Sequence, residues 1–349
     1  MKLYIFREFI MSKIRIIVVV LMMNTLCFAQ NDLLEVEKKT IEIYRQAITS
    51  VVNVSNIKLA RHMFYGEVEI PTGAGSGFIW DKLGHIVTNY HVVQGGNSFM
   101  ISFHNDQKQY AAKLVGVEPK KDIAVLKLTE LPKNFVPVQP GISKNLQVGQ
   151  MSFAIGSPFG LESSLTTGII SALGRKIEGI GGVKIHDMIQ TDAAINMGNS
   201  GGPLLNSSGE LIGMNTMIFS TSGSSAGLGF AVPVDSIKII VPQLITNGKV
   251  VRPGLGIGIA PANNFKGIKN GVIITHLEKN GPADQAGLKG MSQDRFGRYY
   301  VGDIILNIDN NEVNSLDDIY HILEKYKIGD LISVKFLRDN KTQIVKIKL

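Results

Sequence analysis

A mainly β chain in two parts, a larger strand-rich domain followed by a smaller α+β one, is predicted by three observations. Glycine occurs 37 times in 349 residues, which suits many tight turns between short strands. From residue 49 to residue 248 one short apolar run follows another, with no helices of the kind that cross over between parallel strands. At Lys249-Val-Val-Arg-Pro253 the composition shifts, and strand and helix patterns then mix to the end. The length suits about two domains.

The first 29 residues read as a secretory signal peptide. Lys13 and Arg15 lead into the apolar run Ile16–Met23, and Ala29 is the expected cleavage residue. Met11 is an alternative start. The run is short for a membrane span of about 20 residues. An uncleaved anchor is the other reading; peripheral membrane association is a separate expectation. The single cysteine, Cys27, lies in this segment, so the mature chain is expected to be exported yet free of disulfides. The periplasm is the expected compartment. Formal charge is +7, of which +3 belongs to the first 29 residues. No basic block interleaves with aromatics, so a nucleic-acid partner is not expected.

Residues 30–48 place Leu34, Ile41, Tyr44 and Ala47 at helical spacing, an amphipathic segment ahead of the first strand. Strands begin at Ser50-Val-Val. Phe78-Ile-Trp and His85-Ile-Val-Thr are two strands of a hairpin, and His91 follows the second on a short helical turn. Phe99–Phe103 and Tyr110–Val117 continue the series. Asp122 stands at the mouth of the apolar run Ile123–Leu128, either as a turn residue or as a carboxylate drawn in to hold a histidine. Val148–Gly160 and Leu165–Leu173 are further strands, and 174–186 reads as a loop. Two strands then flank a Ser/Gly-rich loop at 220–226. A helix over Asp235–Gly248 follows, with Asp235 or Ser236 as its cap and Pro242 inside it.

The stretch Gln190–Leu205 holds the chemistry. It ends in Gly-Asn-Ser-Gly-Gly-Pro, with Ser200 at the crest. A serine becomes a nucleophile only with a base to take its proton and donors to hold the oxyanion. The N–H groups of Gly198, Asn199 and Ser200 are candidates for those donors. Read alone, the stretch is equally a Gly-rich surface turn. Base, acid and nucleophile occur in the order His91, Asp122, Ser200, each at a strand end, which is the order of the chymotrypsin-like double β-barrel. Gly198–Gly202 also fits the nucleophile elbow of α/β-hydrolases, with His276 and His321 downstream. The absence of crossover helices before Ser200 speaks against that fold. None of the seven histidines forms a metal motif, and no metal or cofactor is expected.

The runs Ser76-Gly-Phe-Ile, Ile86-Val-Thr-Asn-Tyr-His-Val-Val, Asp122-Ile-Ala-Val-Leu, Ala154-Ile-Gly-Ser-Pro-Phe-Gly-Leu and Gly198-Asn-Ser-Gly-Gly-Pro-Leu-Leu resemble the HtrA/Deg serine proteases. The resemblance covers nearly everything after residue 40, and Met197 departs from it where the family often has proline. It implies a trypsin-like protease domain over 49–248, with the His91, Asp122, Ser200 triad and Ile218 lining a small apolar S1 pocket. Residues 253–349 resemble a PDZ domain. Gly254-Leu-Gly-Ile257 is similar to its carboxylate-binding loop, which takes peptide C-termini while an edge strand pairs with the peptide. The extended connection Asp294–Asp303, with Gly75–His91, looks like the chloroplast and cyanobacterial branch. Unfolded exported proteins are the implied substrates. A homotrimer or larger assembly is implied as well, with loops 157–165, 174–189 and 219–227 ordering on activation. A holdase and a regulatory site protease with one signalling substrate are the alternatives to a degradative protease.

Overall fold

The computed structural model describes residues 33–349 except 63–65, 159–162, 179–183, 197, 217–226 and 263–269. The expected signal segment lies outside the described residues, as do Ile218 and Met197. Helix α1, Glu35–Ala47, is amphipathic, with Glu35 paired to Lys38 and Lys39 to Glu42 along its surface. Its buried positions are Ile43 and Ala47. Leu34, expected on the apolar face, precedes the helix and is exposed, because its N–H is taken by the Glu37 carboxylate in the opening turn. Among the described residues no helix is long and apolar enough to cross a membrane.

Six strands close the first barrel: β1 (Val51–His62), β2 (Gly66–Ile79), β3 (His85–Thr88), β4 (Ser98–Phe103), β5 (Gln109–Glu118) and β6 (Ile123–Leu128). They run β1-β2-β3-β6-β5-β4 around the barrel, each antiparallel to its neighbours. Its interior is Val52, Val54, Ile79, Ile86, Ile101 and Leu126, all fully buried. The second barrel is made of β7 (Met151–Gly156), β8 (Ser164–Glu178), β9 (Lys184–Thr191), β10 (Pro203–Leu205), β11 (Leu211–Thr216) and β12 (Gly229–Pro233), in the order β10-β11-β12-β9-β8-β7. Each barrel closes on itself, β4 back onto β1 and β10 back onto β7, which removes the sheet edges within the closed part.

Two expectations are corrected here. Residues 174–178 and 184–186 are not loop but the outer ends of β8 and β9, paired from Arg175↔Met188 to Glu178↔Lys184. Helix α3 is Val234–Asn247, with Pro233 at its N-cap position and no side-chain cap. Asp235 instead reaches sideways and accepts the N–H groups of Ser143 and Lys144, at 3.0 and 2.8 Å. Gly248 ends the helix in the left-handed region (φ 70°), as a glycine C-cap does.

The remaining strands β13 (Ile257–Pro261), β14 (Val272–Leu277), β17 (Ile304–Ile308), β19 (Leu331–Arg338) and β20 (Lys341–Lys348) form one sheet in that order. β13 is at its edge, and β18 (Asn311–Glu312) pairs with β17. The short helix α4 (Pro282–Gln285) and helix α5 (Leu316–Leu323) accompany it, α5 capped by the Ser315 hydroxyl, which accepts Asp318 N. The extended connection folds as a separate hairpin, β15 (Ser292–Gln293) with β16 (Tyr299–Tyr300). α5 meets the barrels through an ionic seam. Glu324 pairs with Lys121 (2.9 Å) and Arg252 (3.4 Å), Arg252 with Glu118 (2.7 Å), and Asp318 with Lys176 (2.9 Å). Within the seam His186 and His321 stack with ring centres 4.5 Å apart.

Candidate active site

Asp122 ends the 3₁₀ turn Pro119–Lys121 in the left-handed conformation (φ 53°), a geometry that carboxylate-bearing residues tolerate better than most. Its own carbonyl accepts from Asn89 Nδ2 (3.0 Å) and Tyr90 N (3.1 Å), which ties it to the start of helix α2, Tyr90–Val93. The carboxylate then faces His91. Oδ1 accepts the His91 backbone N–H at 3.0 Å, and Oδ2 lies 2.8 Å from His91 Nδ1. A carboxylate there keeps the proton on Nδ1 and leaves Nε2 as the basic nitrogen. Thr216, at the end of β11 in the other barrel, donates its hydroxyl to the same Oδ2 at 2.7 Å. Sequence reasoning missed Thr216. It ends a fully buried strand, and nothing in the local pattern marks it.

Ser200 comes from the second barrel. It is buried, and among the described residues its hydroxyl has no hydrogen-bond partner. Its carbonyl accepts the Ser76 N–H at 2.8 Å, which seats the turn on β2. Gly201 (φ 84°) lies so close to the first barrel that a Cβ there would strike Ser76 O and Thr88 Oγ1, so only glycine fits. The turn is locked to β11 by Gly201 N–Asn215 O and Asn215 N–Gly202 O, both 2.9 Å. The His91–Asp122 pair of the first barrel is thus bonded to the second barrel through Thr216, and the Ser200 turn is seated on the first barrel through Ser76; among the described residues no hydrogen bond joins Ser200 Oγ to His91.

Of the three expected oxyanion donors, the Asn199 N–H does not qualify. It donates to Asn196 O at 3.2 Å, closing the turn, while the Asn199 side chain bonds Ala194 O and Asn196 N. The backbone N–H groups of Gly198 and Ser200 make no hydrogen bond among the described residues. A pair of donors one residue apart with no internal partner is what a developing oxyanion requires.

In the C-terminal sheet, Gly254, Leu255, Gly256 and Ile257 form one wall of a groove of about 420 Å³, whose other wall is Leu316, Ile319 and Tyr320 of α5. Leu255 is anchored in the core, and its carbonyl accepts Ala283 N at 3.0 Å. Gly256 takes φ 65°, and its carbonyl accepts Glu278 N at 2.8 Å. The loop is thus held from behind, beside the free edge of β13.

Two β-barrels with a buried carboxylate bonded to a partly buried imidazole, and a buried serine turn on the second barrel, are the architecture of a trypsin-like serine peptidase, and a smaller domain with a groove follows it. Comparison with known proteins agrees. Residues 75–214 match the trypsin-like peptidase domain family and residues 253–349 the PDZ domain family. The chain is 46% identical to "Protease Do-like 1, chloroplastic" of Arabidopsis thaliana over 90% of its own length and 72% of that protein. It is 40% identical to "Probable periplasmic serine endoprotease DegP-like" of Chlamydia trachomatis, over 77% of this chain and 52% of that one. The solved structure "HtrA-type protease AlgW with decapeptide" superposes with a TM-score of 0.69 at 31% identity, covering 88% of this chain and 97% of the other. The chain belongs to the HtrA/DegP family of trypsin-like serine proteases.

Proposed function

We propose that this protein is an ATP-independent serine endopeptidase that degrades unfolded or damaged exported proteins and reads peptide C-termini with its PDZ groove. The observation that carries the reading is the carboxylate of Asp122 bonded to both His91 Nδ1 and Thr216 Oγ1 beside the Ser200 turn. In this mechanism Ser200 Oγ bonds to the scissile carbonyl carbon while His91 Nε2 takes its proton. The carbonyl π pair moves onto oxygen, facing the N–H groups of Gly198 and Ser200. His91 then gives the proton to the leaving amine as the C–N bond breaks, and water repeats the sequence on the acyl-enzyme. Asp122 holds the tautomer and stabilises the imidazolium. The family resemblance assigns Ile218, which lies outside the described residues, to the S1 pocket, and a terminal carboxylate binds the loop from Gly254 to Ile257 while its strand adds to β13.

Export follows from the N-terminal segment and from the periplasmic naming of several relatives. A homotrimer or larger assembly is the working state. The test is digestion of casein, which has little fixed structure, by the wild-type protein and by Ser200→Ala. The variant is expected to fold and bind casein but to lose cleavage by at least a thousandfold, since the nucleophile is gone. Equal cleavage by both would end the reading. Suppressed aggregation of a second, heat-unfolded substrate by a wild-type protein that never cleaves would favour a holdase.

A further inference from the structure

One buried residue of the first barrel holds the serine turn with both its backbone and its hydroxyl. Ser76, near the end of β2, is fully buried. Its backbone N–H holds Ser200 O, and its carbonyl accepts Thr88 Oγ1 at 2.7 Å. Its hydroxyl accepts the N–H of Ser157, just past β7, at 2.8 Å. A hydroxyl has a single proton, and here that proton goes to the carbonyl of Gly198. A first-barrel residue therefore grips the second barrel at Ser157, Gly198 and Ser200.

The bond to Gly198 is the informative one. The peptide joining Gly198 to Asn199 is pinned at both ends, its C=O by the Ser76 hydroxyl and its N–H by Asn196 O. That peptide lies between the two amides carrying the candidate oxyanion donors, the N–H of Gly198 before it and the N–H of Ser200 after it. Its orientation sets the angle between those donors. Gly198, at φ 109°, has no side chain to resist rotation. With the hydroxyl removed, the Gly198 carbonyl is left buried without its donor, and the peptide is free to turn towards another one.

We propose that Ser76 is a positioning residue for the oxyanion-holding turn, acting through Gly198 and taking its own orientation from Ser157. The proposal rests on the triad reading above. It predicts that Ser76→Ala lowers kcat on a chromogenic peptide by roughly ten- to a hundredfold with KM within about twofold, because the donors are used in the transition state and little in the ground state. The discriminating probe is a matched pair of inhibitors. A peptide aldehyde adds Ser200 Oγ to its carbonyl carbon, Ser200 passing its proton to His91, so its oxygen enters the donor site. The corresponding peptide alcohol binds without that step. In Ser76→Ala the inhibition constant of the aldehyde should rise by the factor lost in kcat, and that of the alcohol should not change.

A kcat within twofold of wild type, or equal weakening of aldehyde and alcohol, overturns the proposal. A melting curve establishes that the variant is folded. If it is not, Ser76→Cys takes its place, the thiol being a weak donor and acceptor; wild-type aldehyde selectivity in that variant would equally overturn it. Loss of cleavage in Ser200→Ala alongside unchanged Ser76→Ala would sink this inference alone. Cleavage by Ser200→Ala would sink the underlying reading first.

Discussion

Thr216 illustrates how little of a catalytic arrangement is carried by its named residues. Its hydroxyl is the only side-chain donor described on Asp122 Oδ2 apart from the imidazole itself, and it comes from the opposite barrel. Thr216→Val keeps the shape and removes the donor. Hydrogen bonds to charged groups contribute about 1.5–3 kcal/mol to stability, so the melting temperature should fall by several degrees, and kcat/KM on a peptide substrate by about tenfold as His91 loses part of its orienting carboxylate. An unchanged kcat/KM would mean that His91 alone orients the carboxylate. The His91–Asp122 pairing was legible in the sequence, because each lies at the end of an apolar run and the order of His91, Asp122 and Ser200 along the chain is restrictive; the role of Ser200 is part of the proposal. Ser76 and Thr216 were not, since a short hydroxyl residue in a strand looks the same whether it packs or positions. Asn199 looked like a third oxyanion donor until the turn geometry assigned its N–H to Asn196.

At the scale of the element, the strongest isolated feature is Asp303 in front of β17. Its carboxylate is almost wholly buried and accepts from Lys289 N and from two nitrogens of Arg338 on β19, at 2.6–2.7 Å. Bidentate pairing of this kind tolerates burial only while both partners remain. Arg338→Leu should therefore destabilise the C-terminal domain by about 3–5 kcal/mol, read as a loss of melting temperature confined to that domain. A shift of under 1 °C would show the carboxylate to be satisfied by backbone alone. Elements were read best where an apolar run has a sharp polar or glycine boundary, Gly84 before β3 and Asp122 before β6. The outer half of the β8–β9 hairpin escaped notice because Gly174-Arg-Lys-Ile-Glu178 is polar on both faces. Such strands are held by their pairing and leave no alternation to detect. Helix α3 was placed within a residue, yet its cap was misread because Asp235 serves a neighbouring loop.

At the scale of the whole molecule, the ionic seam joins the PDZ domain to the protease barrels. The stacked pair His186 and His321 is its titratable part. Burial holds both imidazoles below their ordinary value of 6.5, with Lys176 and Lys121 adding to the effect on His186, and Lys121 and Lys325 on His321. Asp318 opposes it at His186, as do Asp187 and Glu324 at His321. Separated from each other, the two rings would take up protons nearer 6.5, so the undocked state binds more protons just below that pH. Linkage then runs one way: docking is at full strength above about pH 6.5 and weakens as pH falls through that value and below. Limited proteolysis at the connecting segment 249–253 should accelerate across that range, and a His186→Phe, His321→Phe double variant should lose the dependence. A wild-type cleavage rate flat from pH 8 to 5 would contradict it.

The two barrels divide the candidate site between them: His91 and Asp122 lie between strands of the first, while the Ser200 turn and Thr216 belong to the second. Neither barrel alone carries the whole set, so a chain cut between β6 and β7 should regain casein cleavage only when its two halves are mixed.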